Sequence, residues 1–303
     1  MNTSRKVRAL AVGATIGGRL AFITVYATAT EVYQAAAHSS MHLPIAIPAL
    51  LGTALSILLG FKTNAAYDRW WEARKIWGSI VNDSRTFARQ VLSLISPRDA
   101  RDADATATQH RELVYRQIAW CYSLTHALRG QDSLKGLEGL LSDGEREQLE
   151  RSANRPNAIL QIQGEQVRSA LDAGRIDPLR LLPLDGTLSR LTDHMGMCER
   201  IKYTVFPAHY GYLVSRMIWL FCLLLPWGLV DSMGWVMIPV TFATAAVFWM
   251  IECIGFALLD PFENQDNDTP MTALSRTIEI DLRQQLGETD VPSKLVPVND
   301  VLM

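Results

Sequence analysis

The sequence lacks most of what would make it an enzyme or a nucleic-acid binder. No GxxxxGK[ST] phosphate loop, GxGxxG dinucleotide turn, HExxH zinc helix or GxSxG nucleophile turn occurs in its 303 residues. Neither sign of charge dominates. Twenty-nine Lys and Arg against 31 Asp and Glu leave a net charge of −2, with no cationic excess to neutralise phosphates, so no nucleic-acid partner is expected. Cysteine is sparse: Cys121, Cys198, Cys222 and Cys253 have no paired spacing, which argues against a disulfide framework or a zinc site and for buried thiols. His38 and His42 are four apart but lie in a short segment beside Pro44 without a cysteine or carboxylate pair nearby, and they read as an exposed loop. No metal or other cofactor is expected. Sustained strand alternation is also missing, so the chain is expected to be all-α.

What the sequence does have is apolar runs at both ends of the chain and a water-soluble middle. Residues 43–61 carry no charge over 19 positions, which suits a helix in hydrocarbon. Residues 217–230 form a second run of 14, which must borrow residues 212–216 to span, with Arg216 snorkelling at one end. Residues 233–259 form a third run of 27, with Glu252 inside it near what reads as the cytoplasmic end of an overlong helix. Only Asp231 and Ser232 separate these last two, which predicts a tight hairpin there. A further span is placed near residues 20–37, behind a basic amphipathic lead-in helix. That helix carries Gly13 and Gly17 at close-packing spacing and is interrupted by Arg19. Arg5, Lys6 and Arg8 ahead of an apolar run resemble a signal peptide, but no small-residue cleavage site precedes Arg19.

Lys and Arg placement orients the spans. Residues 30–42 contain neither, whereas Lys62, Arg69, Arg74 and Lys75 arrive together after the second span. Four spans in the cell inner membrane, with both termini and the middle region in the cytoplasm, fit these charges. The organisation is then a basic N-terminal helix and two spans in residues 1–71 and a cytoplasmic helical region in 72–211. The third and fourth spans follow in 212–259, and a cytoplasmic acidic segment, helix and tail in 260–303.

The middle region reads as helices. Residues 72–95 keep helical spacing, and Pro97 with the Asp/Arg/Ala-rich stretch to Thr108 reads as a loop. A helix is expected over 110–128, ending at Gly130. Ser142 and Glu145 form a capping-box pattern that starts a short helix near Asp143. Pro156 and Gly174 bracket another helix. Leu184, Leu188, Leu191, Met195 and Cys198 form one apolar stripe on a further helix. A last helix is expected over 270–286, with Thr269 as its cap and Gly287 as its stop. Residues 288–303 contain two prolines and no helical period, and form an extended tail that either docks or stays mobile.

Ion conduction suits this pattern better than catalysis. Thr53, Ile57 and Phe61 sit at i, i+4 and i+8, on one helix face over about 12 Å. Copies arranged around an axis with that face inward would make a narrow, mostly apolar constriction that gates by dewetting. The same spacing equally suits packing in lipid or against neighbouring helices.

The run GFKTNAAYDRWWEARKIWG, with Gly60 before an aromatic and then Arg69, Trp70, Trp71 and Glu72, resembles the signature of the bestrophin family in its bacterial branch. A second block, Asp260-Pro261-Phe262-Glu263-Asn264 through Asp268, follows in the same order as in that family. The resemblance spans most of the chain and implies a homopentameric ion channel in a lipid bilayer. Its neck would be formed by Thr53, Ile57 and Phe61, and Thr53 departs from the family's usual apolar first ring. It would have a second, cytoplasmic aperture at Phe206 before Pro207, where the family's usual aliphatic has become aromatic. Lys62 and Asn64 are expected along the ion path or vestibule; Arg69, Trp70, Trp71, Glu72, Pro261 and Phe262 are expected to be structural.

In the family's animal members the acidic block holds calcium. Here Asp266 and Asp268 are interleaved with amides, a thin charge supply for a cation that takes about 6–8 oxygens. The block is therefore read as a structural belt, with calcium the one cofactor it could hold. Family resemblance favours chloride and other monovalent anions. Lys62 would do the same if it faced the pore, while carboxylates at the vestibule would favour cations. A cation-selective channel of the same fold and a non-conducting membrane scaffold or sensor stand as alternatives.

Overall fold

A computed structural model describes residues 9–37, 43–204, 206–298 and 301–302. Arg5, Lys6, Arg8, His38 and His42 lie outside the described residues. The chain is all-helical, with no strand among the described residues beyond isolated bridges at Glu138/Leu141 and Val298/Val301. It divides into two compact units, one holding residues 4–69 and 205–259, the other 70–204 and 260–303.

The first unit contains α1 (Ala9–Ala37), the leading part of α2 (Ala46–Leu94), α7 (Ala208–Met233) and α8 (Met237–Leu259). α1 packs on α7 and α8, and α7 packs on α8. The core they share includes Ile23, Leu55, Leu59, Ile218, Phe221 and Trp249. Close approach of α7 to the start of α2 depends on Gly228, where a Cβ would sit 2.8 Å from Pro48 Cγ and 3.3 Å from Ile45 Cδ1. The backbone N–H of Leu43 donates to the Trp227 carbonyl at 3.0 Å, fixing the segment just before α2.

Two expectations are corrected in this unit. The lead-in helix and the first span are a single helix, α1, that runs through Arg19 without a break. The hairpin turn is not at Asp231 and Ser232, which continue α7, but at the 3₁₀ turn Gly234–Val236. Gly234 supplies the positive φ of 50° that reverses the chain, a conformation that strains any side chain with a Cβ.

The second unit gathers α3 (Ala103–Leu128), α4 (Asp143–Glu150), α5 (Arg155–Asp172), α6 (Pro178–Tyr203), α9 (Met271–Gln285) and the rest of α2. α3 is central, packed against α5, α6 and α9. Trp77, Phe87, Leu113, Ile118, Trp120, Leu191, Phe262 and Ile278 form the core with it. The stripe Leu184, Leu188, Leu191, Met195 and Cys198 is buried along α6, as its spacing predicts. The Ser142 capping box is formed: Ser142 Oγ accepts from Glu145 N, and Glu145 Oε2 accepts from Ser142 N at 2.9 Å. α5 starts behind Asn154 with Pro156 in its first turn and stops just before Gly174, whose φ is 72°.

α3 begins seven residues earlier than its spacing suggests. Asp99 accepts from the backbone N–H of Arg101 and Asp102 and caps a 3₁₀ turn, Ala100–Asp102, that leads straight into alanine-rich helix. The polar composition of that stretch masked the high helix propensity of its alanines. Thr269 does not cap α9. The helix starts behind Pro270, and Thr269 Oγ1 is buried without a hydrogen-bond partner among the described residues. The tail docks at its start, where Glu288 Oε1 accepts from the Tyr115 hydroxyl at 2.7 Å and Arg283 Nη2 donates to the Asp290 carbonyl at 3.0 Å.

Candidate ion-conduction surface

α2 has two faces in the first unit, and its register separates them. Leu55, Leu59, Lys62 and Ala66 recur at four, three and four residues and are buried. Thr53, Ile57, Gly60, Phe61 and Asn64 lie on the exposed side. Ile57 is 55% and Phe61 65% exposed, large values for apolar side chains at the centre of a long helix. The Thr53 hydroxyl donates to the Ala49 carbonyl at 2.9 Å, so its proton is used within the helix. Gly60 has nothing within 4 Å of where a Cβ would be, so nothing in its own chain requires glycine there.

Lys62 does not share the face of Phe61. It is 1% exposed, and its ammonium sits 3.5 Å from the centroid of the Phe256 ring on α8. The register carries this signal, because Lys62 falls in step with Leu55 and Leu59 rather than with Ile57 and Phe61.

Glu252 is likewise turned into the protein rather than lying free at a helix end. It is 2% exposed on α8, and its Oε2 is 3.4 Å from Arg19 Nη1 on α1. A carboxylate in an apolar helix is retained where it meets a cation, and Arg19 is that cation. Phe206 is half-buried and meets the Tyr210 ring edge-on at 5.9 Å. The Tyr210 hydroxyl donates to the Leu58 carbonyl at 2.8 Å, which ties the start of α7 to the middle of α2.

The signature residues hold structure together. Arg69 is half-buried. Trp70 Nε1 donates to the Asn267 carbonyl at 2.8 Å, and the Trp70 and Trp71 rings stack at 6.1 Å. Glu72 Oε1 accepts from Arg200 Nη2 at 2.5 Å. In the second block Pro261 and Phe262 are buried, and the Pro261 carbonyl accepts from Thr269 N at 3.0 Å, closing the loop between them. Asn264 turns that loop with a φ of 66°. Asp268 is buried, and its Oδ2 accepts from Gln265 N at 2.9 Å. Burial pushes its carboxyl up, against the lowering effect of backbone N–H groups from Gln265 and Glu263. Asp266 is exposed. Among the described residues no three His, Cys, Asp or Glu side chains come together as a metal-ligand set. Sequence reasoning missed Arg129, whose guanidinium feels the charge of Asp268 and donates to Thr272 Oγ1 at 2.6 Å. Nothing in the spacing of residues so distant in sequence pointed to it.

Cys121, Cys198 and Cys222 are buried and Cys253 half-buried, all as free thiols. Burial pushes Cys121 up to about 12, which keeps it protonated and unreactive.

A helical unit of apolar helices with an uncovered face, joined to a helical polar unit, defines an all-α membrane protein. The profile of the bacterial/fungal bestrophin protein family matches residues 6–284, and the chain belongs to that family. It is 37% identical over 248 residues to a voltage-dependent anion channel-forming protein of Mesorhizobium japonicum, covering 82% of this chain and 76% of that one. It is 31% identical over 260 residues to a protein so named in Escherichia coli K12, covering 86% and 83% of the two chains. Among solved structures, a bacterial bestrophin homolog from Klebsiella pneumoniae superposes with a TM-score of 0.83 at 30% identity, over 90% of this chain and 99% of that one.

Proposed function

We propose that the chain assembles as a homopentamer in the cell inner membrane and passively conducts small monovalent anions, chloride among them. The observation that carries this reading is the uncovered face of α2. Thr53, Ile57 and Phe61 are uncharged, aligned and exposed while the opposite side of the helix is buried. Five such faces turned to one axis give a dry constriction. Phe206 narrows a second, cytoplasmic aperture. Asn64, also exposed and one turn beyond Gly60, lies along the same path.

Span lengths support the membrane setting. The long helix Ala46–Leu94 and the stretch His209–Leu259, which contains α7 and α8, are apolar and long enough to cross. With α1 they make four spans with both termini cytoplasmic. No cofactor enters this mechanism, and the loop around Asp266 and Asp268 serves as a structural belt. The names of the relatives in Mesorhizobium and Escherichia favour anions as the permeant class.

Ion flux through the purified protein in liposomes tests the reading, with Ile57→Ala beside the wild type. Removing the widest aliphatic of the constriction should raise flux severalfold, and the reversal potential under a salt gradient gives the ion's sign. Cation selectivity would keep the pore and reverse the ion. Folded, pentameric protein that stays silent with Ile57→Ala as well would leave a membrane scaffold as the better account.

A further inference from the structure

The proposed pore wall carries no charge, yet positive charge lies directly behind it. Arg19 of α1, Lys62 of α2 and Glu252 of α8 converge inside the membrane unit. Arg19 meets Glu252 at 3.4 Å, and Lys62 lies on the ring of Phe256, one turn along α8 from Glu252. α7 closes the cluster from a third side, with the Cβ position of Gly211 4.0 Å from Lys62 Nζ. Lys62 Nζ has no hydrogen-bond partner among the described residues, and Glu252 is met by Arg19 through Oε2 while its Oε1 has none, so the cluster is not dispersed into a wider network. Two cations against one carboxylate leave the cluster with one positive charge. The other acid buried in this unit, Glu31, lies beside Gly234 at the far end of α8 and does not offset it. Arg216 is exposed and packed over Tyr212, where its charge is more readily screened.

We propose that Lys62 determines ion sign from behind the neck: it repels cations and attracts anions through the body of α2 without touching the permeating ion. This inference rests on the channel reading above. Lys62 is next to Phe61 in sequence, turned about 100° around α2 from it and about 140° from Ile57, so the body of the helix lies between its ammonium and the face of Thr53, Ile57 and Phe61. Protein and lipid fill that space in place of water, so the field of a buried charge reaches the axis far less screened than a surface charge would be. Five copies add at the axis, where their fields along the pore do not cancel. Glu252 opposes Lys62, and Arg19 partly neutralises Glu252, so net charge in the cluster, rather than any one side chain, sets the selectivity.

The test is the chloride-to-potassium permeability ratio, taken from reversal potentials of the full-length protein in bilayers under a KCl gradient. Lys62→Met removes a positive charge and should lower the ratio by about threefold or more. Glu252→Gln removes the negative charge and should raise it. The double variant restores the wild-type net charge and should bring the ratio back, and Lys62→Arg should keep it. A purely structural role would not shift the two single variants in opposite directions. If both shift the ratio the same way, or if conducting Lys62→Met keeps the wild-type ratio, the inference is overturned while the channel reading stands. Should Lys62→Met lose its assembled size on gel filtration, Glu252→Gln decides alone: a raised ratio supports the inference and an unchanged one overturns it. A folded wild type without current, silent with Ile57→Ala as well, overturns both.

Discussion

His110 and Asp102 show how single side chains tie the polar unit to pH. His110 Nε2 lies 3.0 Å from the Ile95 carbonyl. Burial pushes its imidazole below the usual histidine value; the carbonyl acts the other way, and the Arg175 charge adds to the lowering. The unfolded chain therefore takes up this proton first. Stability is full above the unfolded value of about 6.5 and falls as the pH drops below it. Asp102 acts in a separate, more acidic window. Arg175 grips both of its oxygens, at 2.7 and 3.0 Å, and this hydrogen bonding holds the carboxyl well below the carboxylate range. Its contribution is present above an unfolded value of about 3.9 and is lost as the pH falls further. The apparent Tm should thus decline as the pH falls below about 6.5, and His110→Gln should flatten that decline without touching the one below about pH 4. An unaltered slope in His110→Gln would assign the near-neutral dependence to other groups.

At the scale of elements, the reciprocal cap of α4 matters because the helix is only eight residues long and buries little beyond Leu149. Glu145 also accepts from Arg116 Nε at 2.6 Å, and Arg116 is buried on α3, so the cap holds α4 against the central helix. Ser142→Ala should cost about 0.5–2 kcal/mol in denaturant unfolding, a lower midpoint at unchanged slope. No change in midpoint would mean that the Arg116 contact alone holds α4.

The same scale shows what was legible beforehand. The cap of α4, the Pro156 and Gly174 ends of α5 and the apolar stripe of α6 are local signals and stand where spacing puts them. The start of α3, the turn between α7 and α8 and the missing cap at Thr269 were misplaced, each by a local pattern that a neighbouring residue overrode: Asp99, Gly234 and Pro270. The outward face of Thr53, Ile57 and Phe61 was legible from periodicity. The inward turn of Lys62 was equally so once it is counted with Leu55 and Leu59. The partner Arg19 for Glu252 was not, because pairing across such a separation depends on packing rather than on spacing.

For the molecule as a whole, the ion pair between α1 and α8 joins residues 233 positions apart in the chain. That distance is also an interval of time. At roughly 5–20 residues per second, roughly tens of seconds of synthesis separate Arg19 from its carboxylate. On the proposed four-span reading, an arginine inside a spanning helix costs up to about 2.5–3.5 kcal/mol to insert, and its carboxylate on α8 is made only later. On that reading α1, made long before α8, settles in the bilayer only once α8 follows. A chain truncated before α2 should be largely extracted by alkaline carbonate, and Arg19→Leu in the same fragment should hold it in the membrane; equal retention of the two would mean that α1 needs no partner to insert. Newly made chains would pass through a stage in which a proteolytic quality-control system could recognise unfinished copies by one loosely held N-terminal helix.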